Sequence, residues 1–338
     1  MKKHVVWFLA LALAGLVGHG AGTGGTADAQ QAQTKTLSIA TLAPPGSTWM
    51  RVFDAWNREL RRRTNQSLQM RFYSGGVQGD ESEVIRKIRN GRLDGAAVTA
   101  VGLAQIHRPA LVFQMPGILR SYEQLDRARA ALAGEMDTAF LGSGFKLLGW
   151  ADVGQSRLFS NSEVRRPADL ASKKMFSWRD DAVLPTMFQV VRTNAVPLAL
   201  PEVLGALQTG RIDTFLGTPV ACIALQWCTK ASTMMDMPLA IVVGGTVLGK
   251  TQWEALSPEH QTALTETAAQ FHTLARRNLR NDETQAVETL RTRLNIRFVS
   301  VDAAQRAEWE NVGAQVRQRL TGRIADAALV ERVAAFGR

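Results

Sequence analysis

Residues 196–219 read VPLALPEVLGALQTGRIDTFLGTP, and residues 84–99, VIRKIRNGRLDGAAVT, repeat the same physical plan. In each, an amphipathic helical run stops at a glycine, Gly210 or Gly91, the residue that best tolerates the left-handed conformation just past a helix end. Arg-Ile-Asp or Arg-Leu-Asp then leads into a short apolar strand. Two such α/β units in one chain imply two lobes facing each other across a cleft, and clefts between domains are where small ligands usually bind.

Far upstream, the 338-residue chain begins with Lys2 and Lys3, an apolar run over 5–17 and a small-residue stretch ending Ala27-Asp28-Ala29. This pattern predicts a secretory signal peptide over 1–29, cleaved near Ala29. Its apolar run is too short for the roughly 18–20 residues a bilayer crossing requires, so a periplasmic mature chain is expected. Without Lys2, Lys3 and Asp28 the chain keeps 38 basic and 29 acidic residues, a net charge of +9. Its arginine groups, 61–63, 165–166 and 276–277, lie far apart in sequence, which reads as a solvated basic surface. With export, that dispersal argues against a nucleic-acid partner.

Between the repeated units, strands and helices alternate, as in a largely parallel sheet covered by helices. Strands are expected at 37–42, 68–73, 95–100, 145–152 (running on through 155–159), 174–178, 196–200, 212–216 and 239–248. Helices are expected at 49–63 after Ser47, from Asp80 to Asn90, at 122–133, 135–141, 182–192 and 202–208. Ser257 and Pro258 open a helical stretch reaching about 294, roughly 55 Å at 1.5 Å per residue, long enough to span two lobes. Segments 145–159 and 239–248 are the natural crossings between lobes. The reading is lobe I at 30–150 with a return segment near 239–256, lobe II at 151–238, and C-terminal helices at 257–338 packing across both.

Cys222 and Cys228 are the two cysteines of the chain. If 221–229 is helical, their separation along the axis is about 9 Å, beyond the span of a disulfide, so two buried free thiols are expected and a bridge only if the segment is irregular. The mature histidines, His107, His260 and His272, stand apart from these cysteines, so no metal site or cofactor is expected. The mature chain carries no G-x-S-x-G elbow or G-x-G-x-x-G turn, and nothing pairs Asp152, Asp180 or Asp181 across a reacting bond. A catalytic role is therefore not expected.

Four segments carry a family likeness: IATLAPPGSTW (39–49), YSGGVQGDE (73–81), RPADLASKKM (166–175) and VPLALPEVLGALQTGRID (196–213). In order and spacing the chain resembles the periplasmic solute-binding proteins of the tripartite ATP-independent periplasmic (TRAP) transporters, the DctP-like family. The resemblance implies an α/β periplasmic-binding-protein clamshell of two lobes, with hinge strands and a long lobe-spanning C-terminal helix. It implies capture of a small organic ligand and delivery to TRAP-type membrane permease subunits. A periplasmic helical-repeat protein carrying an apolar or lipid-like ligand, and a homodimer through the long helix, are the further partners left open.

The departures concern the ligand. Family members that bind organic acids place an arginine where this chain has Phe176, and an asparagine where Thr218 stands. Arg157, on the strand entering lobe II, is the remaining basic candidate, either for a ligand anion or for an acidic residue of the hinge. Phe176, Trp178 and Phe215, with Trp227 beyond them, would make an aromatic wall in lobe II unless they fill its core. Arg179 or Lys174 could supply a displaced positive charge. From lobe I, Pro44, Ser47, Trp49, Gly76 and Thr99 would approach the ligand, with the helix N-terminus after Ser47 open to an anion.

Overall fold

The structure is a computed structural model describing residues 34–338; the expected signal peptide lies outside them. Strands are β1 (Lys35–Thr41), β2 (Leu68–Tyr73), β3 (Gly95–Thr99), β4 (Phe145–Ser160), β5 (Lys174–Trp178), β6 (Asn194–Leu198), β7 (Thr214–Gly217), β8 (Thr233–Met235), β9 (Ala240–Gly249) and β10 (Arg297–Val299). Helices are α1 (Thr48–Arg63), α2 (Glu81–Arg89), α3 (Ala100–Ala104), α4 (Tyr122–Gly142), α5 (Leu184–Val191), α6 (Val203–Gln208), α7 (Pro219–Ala224), α8 (Lys250–Glu254), α9 (Pro258–Thr292), α10 (Ala303–Leu320) and α11 (Ala327–Ala335).

The repeated units read from the sequence are the same device twice. Gly91 and Gly210 both sit at φ +69°, ending α2 and α6. The aspartates that follow then staple the neighbouring parallel strand. Asp94 accepts from the Ser38 amide at 2.7 Å and returns its own amide to Ser38 O, while Asp213 accepts from the Lys174 amide at 3.0 Å and returns its amide to Lys174 O. Each unit thereby sets β3 beside β1 and β7 beside β5.

Strand order is β2-β1-β3-β9-β4-β7-β5-β6, so each half of the series has two parallel neighbours beyond its repeated strand and one long strand at the middle. β4 and β9 are those long strands. They pair antiparallel from Phe145↔Gly249 to Ser156↔Ala240, with register breaks at Leu147/Gly149 and Asp152/Gly154. Both expected crossings therefore lie side by side and form the hinge of the two-lobed fold.

The 35-residue α9 starts where the sequence predicts: Ser257 caps it, its hydroxyl accepting from the His260 amide. Its buried residues recur at helical spacing. Leu264, Ala268 and Phe271 pack with α1 residues such as Trp56, whereas Leu290 packs with Phe215 and Trp227. One helix thus spans both halves. Helix α4 is continuous where two helices were expected, because the interior Gly134 is tolerated in a helix at a cost of about 1 kcal/mol.

The cysteine expectation is overturned. Cys222 and Cys228 form a disulfide, with Cα atoms 5.2 Å apart. The segment is not one helix: α7 ends at Ala224, and Gln226 takes the left-handed conformation at φ +62°, turning the chain back before a short 3₁₀ turn at Trp227–Lys230. That reversal brings together residues that a straight helix would hold apart.

Candidate functional site

A cavity of about 200 Å³ lies where β4 and β9 cross between the two halves. Its walls come from both sides. The β1–α1 turn, the end of β3 and the start of α2 contribute Pro44, Trp49, Thr99 and Glu81; β5, α5 and the segment after β7 contribute Phe176, Trp178, Asp181, Leu184 and Trp227; β4 and β9 supply Asp152, Ser156 and Thr246.

Of the residues singled out from sequence, Pro44, Trp49, Thr99, Phe176 and Trp178 meet at this cavity. Phe176 and Trp178 are two positions apart on β5, so strand alternation sends both to one face. Trp227 joins them, packing its ring edge-on against Phe176 at 5.7 Å. It is at once core and wall.

The others lie elsewhere. Ser156 lines the cavity, and its neighbour Arg157 takes the opposite face of β4, where its Nε donates to Asp236 O at 3.3 Å and its Nη1 is 3.9 Å from Glu283 of α9. Leu216 lines the cavity, while Phe215 points into the core and stacks on Phe159 at 5.1 Å. Thr218 caps α7 by accepting from the Ala221 amide, and Ser47 caps α1 by accepting from Met50. The α1 N-terminus is directed at α9, where Thr48 Oγ1 donates to Asp282. Arg179 pairs with Glu202 and Lys174 donates to Gly210 O, both on exposed surface. Gly76, at φ +75°, does not line the cavity but lies where the two halves meet; a Cβ there would stand 3.3 Å from Pro201 of the opposite half.

Two carboxylic acids on the wall were not legible as site residues. Glu81 accepts from the Thr99 amide and hydroxyl and from the Gly102 amide, at 2.7, 2.8 and 2.7 Å. Burial outweighs those bonds and pushes its carboxyl up to about 7. Asp181 accepts from the Val183 amide at 2.6 Å and from Leu184 at 3.3 Å, and burial pushes it up to about 6. Asp152 differs: Arg129 bonds it at 2.6 Å and Arg280 at 2.8 Å, and Arg280 also holds Asp126.

The family model for bacterial extracellular solute-binding protein, family 7 (DctP), matches residues 39–322. The chain belongs to that family. It is 23% identical over 277 residues to the 2,3-diketo-L-gulonate-binding periplasmic protein YiaO of Escherichia coli K12, covering 78% of this chain and 80% of the relative. It is 25% identical over 219 residues to the C4-dicarboxylate-binding periplasmic protein DctP of Rhodobacter capsulatus, covering 63% and 64%. Among solved structures, a TRAP periplasmic solute-binding protein from Shewanella oneidensis with bound succinate has a TM-score of 0.85 at 14% identity, covering 90% of this chain and 100% of the other. The sugar acid binding protein DctPAm of Advenella mimigardefordensis, in complex with galactonate, has a TM-score of 0.84 at 15% identity, covering 90% and 98%. These structural likenesses establish the two-lobed clamshell.

Family 7 is a transport family of solute-binding proteins, and no helix among the described residues of this DctP-family protein is long and apolar enough to cross a membrane. No cluster of three or more histidine, cysteine or acidic residues able to hold a metal occurs among the described residues. In this member the halves also touch directly in front of the cavity. Asp80, the N-cap of α2, accepts from Trp178 Nε1 at 2.9 Å and from the Leu200 amide at 3.2 Å, and Ser82 donates to Asp180.

Proposed function

We propose that this DctP-family protein is exported to the periplasm, captures one small organic molecule in the cavity between its lobes, and presents the closed form to a TRAP-type permease pair. Lobe I is assigned to 30–150 with the return segment near 239–256, lobe II to 151–238, and the C-terminal helices to 257–338. Trp49, Thr99, Phe176 and Trp178 are assigned as ligand contacts, joined by Trp227. The observation that carries the reading is the cavity at the β4–β9 crossing, walled from both lobes, in a family of solute-binding proteins.

Closure follows from this geometry without any chemical step. A ligand touching both walls favours the closed state by the contacts it makes there and not in the open state. Moving the population from mostly open to mostly closed takes about 5 kcal/mol of differential binding, which aromatic burial can supply. The family is one of solute-binding proteins, so we assign binding and not catalysis.

The test is native mass spectrometry of the protein purified without refolding from a periplasmic extract. A small molecule near one per chain, missing from a Leu184→Trp variant that fills the cavity, is the expected result. A variant that retains the same molecule would place binding elsewhere, and turnover of the bound molecule would overturn the transport reading.

A further inference from the structure

We propose that the cavity takes an uncharged, predominantly apolar molecule bearing one or two hydrogen-bonding groups, and that it excludes the carboxylates. This rests on the solute-binding reading above and names the ligand class for the same site. The carrying observation is that none of the residues lining the cavity is lysine, arginine or histidine, whereas three acids, Glu81, Asp152 and Asp181, stand on its wall.

A carboxylate entering this space would leave water for a surface of Trp49, Phe53, Phe176, Trp178, Leu184 and Met187. It would find no cation to compensate its lost hydration, and buried unpaired charge is strongly disfavoured. The nearby cationic groups are paired or lie on other faces, with Arg157 Nη1 and Arg129 Nε buried and without a hydrogen bond. Arg129 and Arg280 both bond Asp152, Arg157 lies on the opposite face of β4, and Arg179 and Lys174 make surface contacts. The bidentate clamp that an arginine offers a carboxylate has no equivalent here, with Phe176 in its register.

The two unpaired acids do not make the site a cation trap. The Glu81 oxygens are occupied by three donors from Thr99 and Gly102, so Glu81 presents no bare charge to the cavity; Asp181 Oδ1 takes two backbone amides, which leaves its Oδ2 to accept from one donor on a ligand. Beside that single oxygen, what remains for a ligand's polar groups is uncharged: the Ser156 hydroxyl, the Thr246 hydroxyl that shares a bond with His272, and the Gln114 amide, whose Oε1 accepts from Val243. Those groups can orient a hydroxyl or carbonyl on an otherwise apolar body.

The experiment titrates the full mature protein with N-phenyl-1-naphthylamine, a neutral apolar fluorophore, and separately with succinate, glucuronate and tetraethylammonium as competitors. The expected result is a saturable fluorescence rise at one site per chain, weakened about tenfold or more by Leu184→Trp, and no displacement by the acids or the ammonium ion. Saturable binding of succinate or glucuronate that Leu184→Trp removes would overturn this inference while leaving the solute-binding reading intact. Displacement by tetraethylammonium would replace a neutral ligand with a cationic one. Absence of fluorophore binding overturns the inference as well, and the solute-binding reading falls only if the native mass spectrum also lacks a bound molecule.

Discussion

Trp178 of β5 donates its indole N–H across the mouth of the cavity to Asp80, the residue that caps α2, at 2.9 Å. The same Asp80 oxygen accepts from the Leu200 amide at 3.2 Å, and Ser82 and Asp180 add a second bridge close by. A single carboxylate therefore holds a cavity-lining aromatic and the Leu200 segment against the start of α2. Asp80→Asn preserves a good helix cap and weakens the latch; Asp80→Ala removes both, at a cost of about 1 kcal/mol for the cap alone. Both variants are expected to enlarge the radius of gyration of the ligand-free protein by small-angle scattering and to weaken ligand binding. A ligand-free scattering profile identical to wild type in both variants would show that Asp80 does not hold the lobes together.

Local chemistry made much of this fold readable. Gly91 and Gly210 had to end helices, Ser47, Asp80 and Ser257 had to start them, and each does so. What stayed hidden was which face of a strand meets the cavity and which distant segments converge there. Arg157 and Phe215 sit one position away from cavity-lining residues, and a shift of one residue reverses the face. Glu81 reads as an ordinary first-turn acid until Thr99 and Gly102 close over it, and Asp80 meets Trp178 across 98 residues of sequence. The disulfide was missed because a left-handed Gln226 leaves no strong signal in the sequence.

Acidity should act on stability in opposing directions. Glu81, raised by burial from 4.5 to about 7, and Asp181, raised from 3.8 to about 6, stay protonated in the folded state where the unfolded chain has ionised. Their contribution is fully present below about pH 4 and is lost as pH rises through 6 and 7. His272, lowered by burial from 6.5 to about 4, works the other way: stability is lost as pH falls from 6.5 towards 4. Each group accounts for about 3 kcal/mol across its window. Urea denaturation of Glu81→Gln between pH 4.5 and 7.5 should therefore lose a falling component of about that size. An unchanged pH profile would refute the shift at Glu81.

The Cys222–Cys228 bridge closes a short loop beside Trp227. Chain entropy assigns a loop of this length about 2 kcal/mol of stabilisation. Reduction, or Cys222→Ser with Cys228→Ser, should lower the denaturation midpoint accordingly. Because Trp227 forms part of the cavity wall, ligand affinity should fall in the same variant. Equal affinity with reduced stability would confine the bridge to a purely structural role.

Asp152 ties the hinge strand β4 to two helices at once, through Arg129 of α4 and Arg280 of α9. Its side chain is fully buried and that of Arg129 is 6% exposed, so removing the acid strands a guanidinium in the interior. Asp152→Asn is expected to cost about 3–5 kcal/mol by urea denaturation, the usual penalty for breaking a buried pair from one side. Replacing both partners, Asp152→Leu with Arg129→Met, removes the stranded charge together with its counterion and should recover most of that loss. Arg280 keeps Asp126 as a partner in either variant, which limits the damage on the α9 side. If the double variant is no more stable than Asp152→Asn, the loss arises from disturbed packing where β4 crosses the cavity and not from an unpaired Arg129.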